Sequence, residues 1–247
     1  MIKNNPPLGS KEDIVNEILK ELPTQTAVEV DLPSECRVYD LIDPDLPVSI
    51  RPMTFDDEKS LVSAGASEDP VNLILSRCVE NIKVPDLLPL DKLYLIMKLR
   101  EISYGDDYQT LLICNHCNAE NPITVKLSQL NVLPVPDDFQ DPITVMLPSL
   151  KKEAVVRLPR VKDEKYASST SEAFDQLWRF VVSIDGNTDK SVINAVLDRL
   201  PIRDVRTILK AMKTDYGVET KIKLECKECG GVSVQDLPLD ANFFDVN

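Results

Sequence analysis

The sequence predicts an α+β fold made of two diverged repeats, and three observations carry that prediction. The chain of 247 residues holds two C-x-x-C pairs, Cys114-Asn115-His116-Cys117 and Cys226-Lys227-Glu228-Cys229, each set between strand-like runs. A shift of 112 residues lays one pair on the other without a gap. It also lays Leu88-Pro89 on Leu200-Pro201, Ile96 on Ile208, Lys98 on Lys210, Tyr104-Gly105 on Tyr216-Gly217 and Leu112 on Leu224. Nine of the 30 positions from 88 to 117 are identical at that shift, which chance rarely gives with the cysteines in register. Each copy also runs in the same order, hairpin, helices, cysteine hairpin.

Taken in order, residues 1–25 read as a leader and an amphipathic docking helix. Ser10 caps this helix, Asp13 completes a capping box, and Ile14, Ile18 and Leu22 line one face beside Val15 and Leu19. The first repeat spans 26–131. Strands are expected over 26–30, 36–42 and 48–51, and acids at 56–58 favour a helix start after Thr54. Asp69-Pro70 opens a second helix to about Ile82, and Lys92 to Ser103 forms a third, closed by Tyr104-Gly105. Strands at 108–113 and 123–127 flank the first cysteine pair. Residues 132–141, rich in Pro and Asp, form a linker. The second repeat, 142–247, has strands at 142–146 and 154–158. A long helix is expected from Ser171 to Ile184, with Phe174, Leu177, Trp178 and Val181 on one face. Two more helices follow, the last closed by Tyr216-Gly217, and strands then flank the second pair. The ending, with Phe243-Phe244, either folds back or docks on a partner.

Composition narrows the function. The net charge of −13 disfavours a phosphate backbone as partner, and the only short basic cluster in the sequence is Lys151-Lys152. Nothing approaches the apolar length of a membrane span. The single histidine, His116, lies between two cysteines, where it reads as a solvated tip residue and cannot readily serve a nucleophile. There is no phosphate-binding glycine loop, and the paired acids lie at helix starts and in loops. No enzyme signature, small-molecule site or organic cofactor is therefore expected. Cys36 and Cys78 stand alone and are given no chemistry.

Cys114, Cys117, Cys226 and Cys229 are the candidate metal ligands. Each C-x-x-C turn aims two sulfurs at one point, and four thiolates make a closed tetrahedral zinc site of structural type. The 108 residues between the pairs exceed the spacing of a compact zinc ribbon. The repeat supplies a reason: each copy gives one half of a shared zinc-ribbon-like site that staples the two together. Two rival readings are a zinc-ribbon module touching nucleic acid, which the charge opposes, and a C-x-x-C thiol oxidoreductase. The second expects a strand-to-helix setting rather than a turn between strands.

The arrangement resembles the T4-type bacteriophage baseplate protein family of contractile-tailed phages. The resemblance is carried by Ile50-Arg51-Pro52-Met53-Thr54 before the acidic helix, and by Lys98-Leu99-Arg100-Glu101-Ile102-Ser103-Tyr104-Gly105 before Cys114 and Cys117. Cys226, Cys229 and the Phe243-Phe244 ending complete it. It covers about residue 45 to the C-terminus, leaving 1–25 outside. It implies a non-enzymatic structural or assembly protein of the baseplate hub region, assembled in the host cytoplasm and placed in the virion tail. The implied partners are other baseplate and tail subunits, with no nucleic acid, membrane or small-molecule substrate.

Overall fold

The computed structural model describes residues 10–20, 26–63, 69–166, 175–239 and 241–244, and it is a mixed α+β structure of small sheets and helices. Ser10 and Asp13 close a capping box that starts α1 (Lys11–Leu19). This helix buries none of its residues, so Ile14, Val15, Ile18 and Leu19 face solvent. Leu22 and Pro23 lie outside the described residues.

The first half is built on a three-stranded antiparallel sheet of β1 (Val28–Glu29), β2 (Ser49–Ile50) and β3 (Val79–Glu80) in that order. Between β2 and β3 run α2 (Phe55–Ser63) and α3 (Pro70–Cys78). Thr54 and Asp57 form the box that starts α2, and Asp69 caps α3, with Pro70 where a missing N–H does no harm. Helix α4 (Pro89–Tyr104) ends at Gly105, whose φ of 98° suits a residue without Cβ. The hairpin of β4 (Asp107–Ile113) and β5 (Glu120–Lys126) follows.

The second half has its own antiparallel sheet, β7 (Ile143–Met146), β8 (Glu153–Val156) and β9 (Val181–Ile184), in the same order. Then come α5 (Lys190–Leu197), α6 (Ile202–Ala211) and the hairpin of β11 (Lys221–Glu225) with β12 (Val232–Asp236).

Matching side chains hold the two sheets. The Arg51 guanidinium grips Asp57 at 2.7 and 3.2 Å and donates to the Pro52 carbonyl, while the Thr54 N–H also donates to Asp57. Arg157 grips Asp163 at 2.7 and 3.0 Å and donates to the Leu158 carbonyl, and here the Arg160 N–H completes the set. Burial alone would raise both carboxyls. The hydrogen bonds outweigh it and hold them below the usual carboxylate range. The two Leu-Pro-Ser turns match as well. Buried Asp91 accepts the Ser34 N–H at 3.1 Å, and buried Asp204 accepts those of Ser149 and Leu150 at 2.8 and 2.9 Å.

One core gathers Ile50, Ile74, Leu75, Leu95 and Leu99, and another gathers Leu147, Val156, Val181, Ile193 and Ile208. A small cluster of Leu88, Val135, Leu158 and Tyr216 lies between them.

Several expectations are corrected. Residues 36–42 form no strand: 36–38 lie in turns and the rest is irregular, with Glu35 and Cys36 at positive φ and Tyr39 turned inward to donate to buried Asp91. The expected helix from Ser171 to Ile184 ends instead in β9. Val181 and Ile184 pack against β8, so a short apolar run with helical spacing proves to be a buried strand. Ser171 and Phe174 lie outside the described residues. Helix α6 stops at Ala211 and not at Tyr216-Gly217; Gly217 begins β10 (Gly217–Val218), which pairs with β6 (Val132–Leu133). The segment expected as a linker is thus tied by main-chain hydrogen bonds. Phe243 and Phe244 fold back and are buried in the first-half core, with Phe243 edge-on to Tyr108 at 4.8 Å.

Candidate metal centre

Each C-x-x-C pair occupies the turn of a two-stranded hairpin, and the two turns have the same hydrogen bonds. The Cys114 N–H donates to Ala119 and its carbonyl accepts from Asn118, both at 2.9 Å. Cys226 does the same with Gly231 and Gly230, again at 2.9 Å. The residue after each second cysteine must take positive φ, and Asn118 (59°) and Gly230 (68°) are residue types that tolerate it.

The fold brings all four predicted ligands together. The sulfurs of Cys114, Cys117, Cys226 and Cys229 lie within 4.8 Å of one another. Across the hairpins, Cys114 faces Cys229 and Cys117 faces Cys226, each at 3.7 Å. Sulfurs tetrahedrally placed about 2.3 Å from one zinc ion are about 3.8 Å apart, so the residues fit such an ion. All six cysteines are free thiols. Main-chain N–H groups of His116 and Gly231 point at the Cys114 and Cys229 sulfurs at 3.4 Å. Such donors spread thiolate charge and fix sulfur direction.

Asn121, which sequence reading missed, ties the two knuckles. It is 1% exposed, donates from Nδ2 to the Ala119 carbonyl at 2.9 Å and the Cys226 sulfur at 3.6 Å, and accepts the Lys227 N–H at 3.0 Å. Gln235 adds a second tie, donating to the Ile113 carbonyl at 3.0 Å. No sequence signal marks either residue, because both act across a gap of more than a hundred positions. His116 is exposed, as expected, but it is not a free tip: its ring lies against Gly231, where an added Cβ would meet Cδ2 at 2.5 Å.

Thiols this close do not titrate alike. The Cys229 N–H, with further help from that of Glu228 and from Asn121, holds the Cys226 thiol down at about 6. At Cys117 the Ala119 N–H works downward, but shared hydrogens with the other cysteines and burial push it up to about 12. A cation among the four sulfurs removes the repulsion that keeps the last proton on. An oxidoreductase needs its low-pKa thiolate exposed to attack a disulfide, whereas Cys226 is 2% exposed in a turn between antiparallel strands.

Fold and site together define a scaffold in which two thiol-bearing hairpins meet. The chain belongs to a phage baseplate family, since the model of the T4 bacteriophage base plate protein family matches residues 28–245. No curated protein and no solved structure matches it. Among the described residues, no helix is long and apolar enough to cross a membrane.

Proposed function

We propose that the chain is a non-enzymatic structural or assembly subunit of the hub region of a contractile-tail baseplate. It acts through protein–protein contacts on a scaffold stapled by one structural zinc. The observation that carries the zinc is the cluster of four sulfurs, two from each hairpin, all within 4.8 Å of one another, with the two facing pairs at 3.7 Å, close to the spacing around one tetrahedral ion. A four-thiolate site leaves no open coordination position, so it holds structure and does no chemistry. On this reading residues 26–131 and 142–247 are two copies of one unit, which the matching Arg51–Asp57 and Arg157–Asp163 forks support. Helix α1, with its apolar stripe in solvent, is a contact element for neighbouring subunits; the Phe243-Phe244 ending is not, because the chain's own core covers it.

Two measurements test the reading. Elemental analysis of purified protein is expected to give one zinc per chain, lost together with folding when Cys114, Cys117, Cys226 or Cys229 becomes Ser. Stably folded, metal-free protein refutes the staple. Pull-down of tail subunits from infected-cell extract is expected to need residues 10–20, and capture unchanged by their removal refutes the role of α1.

A further inference from the structure

The two halves share an arrangement of charges in which one member has been exchanged. In the first half the Asp56 carboxylate lies between Lys59 at 3.2 Å and Arg77 at 2.7 Å, beside the Arg51–Asp57 fork. Lys59 first, and then Arg77, hold that carboxyl below its usual range. In the second half the fork is Arg157–Asp163, so Lys165 stands where Lys59 stands, two residues past the fork carboxylate. Arg179 stands where Arg77 stands, two residues before the strand position that pairs with the end of the fork strand. The place of Asp56, one residue before the fork carboxylate, is taken by Lys162. Both cations are kept and the carboxylate between them is gone.

The result is a cationic cleft in an acidic chain. Arg157, Lys162, Lys165, Arg179 and Lys190 all line one open cavity of 300 Å³, although no two are adjacent in sequence. Asp163 is engaged by Arg157, and Lys162 reaches away to Asp86 at 2.7 Å. Arg179 lies 4.0 Å from the Tyr166 ring and 4.4 Å from that of Trp178, and it donates to Gln176. Lys165 sits over Tyr166, and Lys190, an exposed residue, turns its ammonium onto the Val181 carbonyl. Among the described residues, no carboxylate pairs with Arg179, Lys165 or Lys190. Desolvation first, and Arg157 next, hold the Lys190 ammonium below the usual lysine range. Gathered cations against aromatic walls repel one another, and an anion placed among them relieves that repulsion.

We propose that this cleft receives a carboxylate side chain from an acidic segment of a neighbouring baseplate subunit, held between Lys165 and Arg179 as Asp56 is held between Lys59 and Arg77. A carboxylate is favoured over a phosphate because the matched place in the same chain is built around one. The net charge of −13 also repels a nucleic-acid backbone. This deepens the subunit-contact reading and rests on it for the partner's identity as a baseplate protein.

Trp178 is the chain's only tryptophan and lines the cleft, so its fluorescence reads occupancy. The full chain is titrated with an oligoglutamate peptide at low salt. A saturable change is expected, weakened by added salt and about tenfold weaker in Arg179→Gln and in Lys165→Gln. Lys126→Gln, on β5, leaves the affinity unchanged, and circular dichroism with metal content checks that each variant is folded. No saturable change, or wild-type affinity in either cleft variant, overturns the proposal. So does oligothymidylate displacing the peptide from the cleft at lower concentration than the peptide itself binds. Overturning it while tail subunits are still captured removes this contact alone and leaves the structural role standing.

Discussion

Replacing Asn121 by alanine is the sharpest probe of how the two hairpins are joined. The change removes an acceptor for the Lys227 N–H and a donor to the Cys226 sulfur, and leaves the four cysteines in place. Lys227 lies at an exposed knuckle, where water replaces the lost acceptor at little cost. The donor to sulfur matters more, because a buried thiolate loses a charge-assisted hydrogen bond that contributes roughly 1.5–3 kcal/mol. About 2 kcal/mol corresponds to a zinc affinity about 30-fold weaker, inside the tenfold to hundredfold range typical of groups that support metal ligands. Competition with a chromophoric zinc chelator measures it. The control is Ser233→Ala, at the place in the second hairpin that corresponds to Asn121. The Ser233 hydroxyl accepts from Gln235 at 2.9 Å and, among the described residues, makes no hydrogen bond to a sulfur. A zinc affinity for Asn121→Ala close to that of the wild type, or an equal loss in Ser233→Ala, refutes the argument that Asn121 couples the knuckles.

Other expectations concern packing, charge and crowding. Phe243→Ala empties a buried site among Tyr108, Phe244 and Arg100, and is expected to lower stability by about 3–5 kcal/mol in urea unfolding; a loss under about 1 kcal/mol shows that the ending is not part of the core. Asp57→Asn breaks the grip of Arg51 and Arg77, and because both guanidiniums are partly exposed the cost at neutral pH is about 2–3 kcal/mol, below that of a fully buried pair. The folded carboxyl titrates below its unfolded value of about 3.9, so its contribution is present above that pH and is lost as pH falls through the lower folded value. The penalty of Asp57→Asn should therefore shrink in acid, and an equal penalty at neutral pH and near pH 3 contradicts the assignment. Gly231→Ala places a Cβ against the His116 ring and 3.2 Å from the Cys229 sulfur, and should weaken zinc binding. Combining it with His116→Ala should recover part of the loss, whereas His116→Ala alone should leave zinc binding unchanged. A loss in that single variant would make His116 a ligand or a ligand support.

How much the sequence disclosed follows from the range over which each feature acts. The knuckles were legible because a C-x-x-C turn is local: four residues fix two sulfur directions, and Asn118 and Gly230 carry the backbone requirement in their own identities. The cap at Ser10 and the helix starts at Thr54 and Asp69 were legible for the same reason. What stayed hidden depends on partners distant in the chain. Val181 to Ile184 has helical spacing, and only β8 makes it a strand. Tyr39 breaks an apparent strand because Asp91 lies far along in sequence and accepts its hydroxyl. Phe243 finds its pocket in the opposite half. The cationic cleft was hidden most thoroughly, since its five positive groups are scattered from 157 to 190 and none sits beside another. Lys151-Lys152, the one basic pair visible in the sequence, does not line it. Under the duplication reading this contrast has a physical logic. Arg51, Asp57, Arg157 and Asp163 close each sheet onto the segment that follows it, so changing either member leaves a charge without its partner, and both halves keep both members. Asp56 lies at the exposed margin of that fork, where a charge is solvated whatever its sign, so the fold tolerates Lys162 in the matching place. A position that the fold leaves free to change sign is one where the halves can come to bind different things.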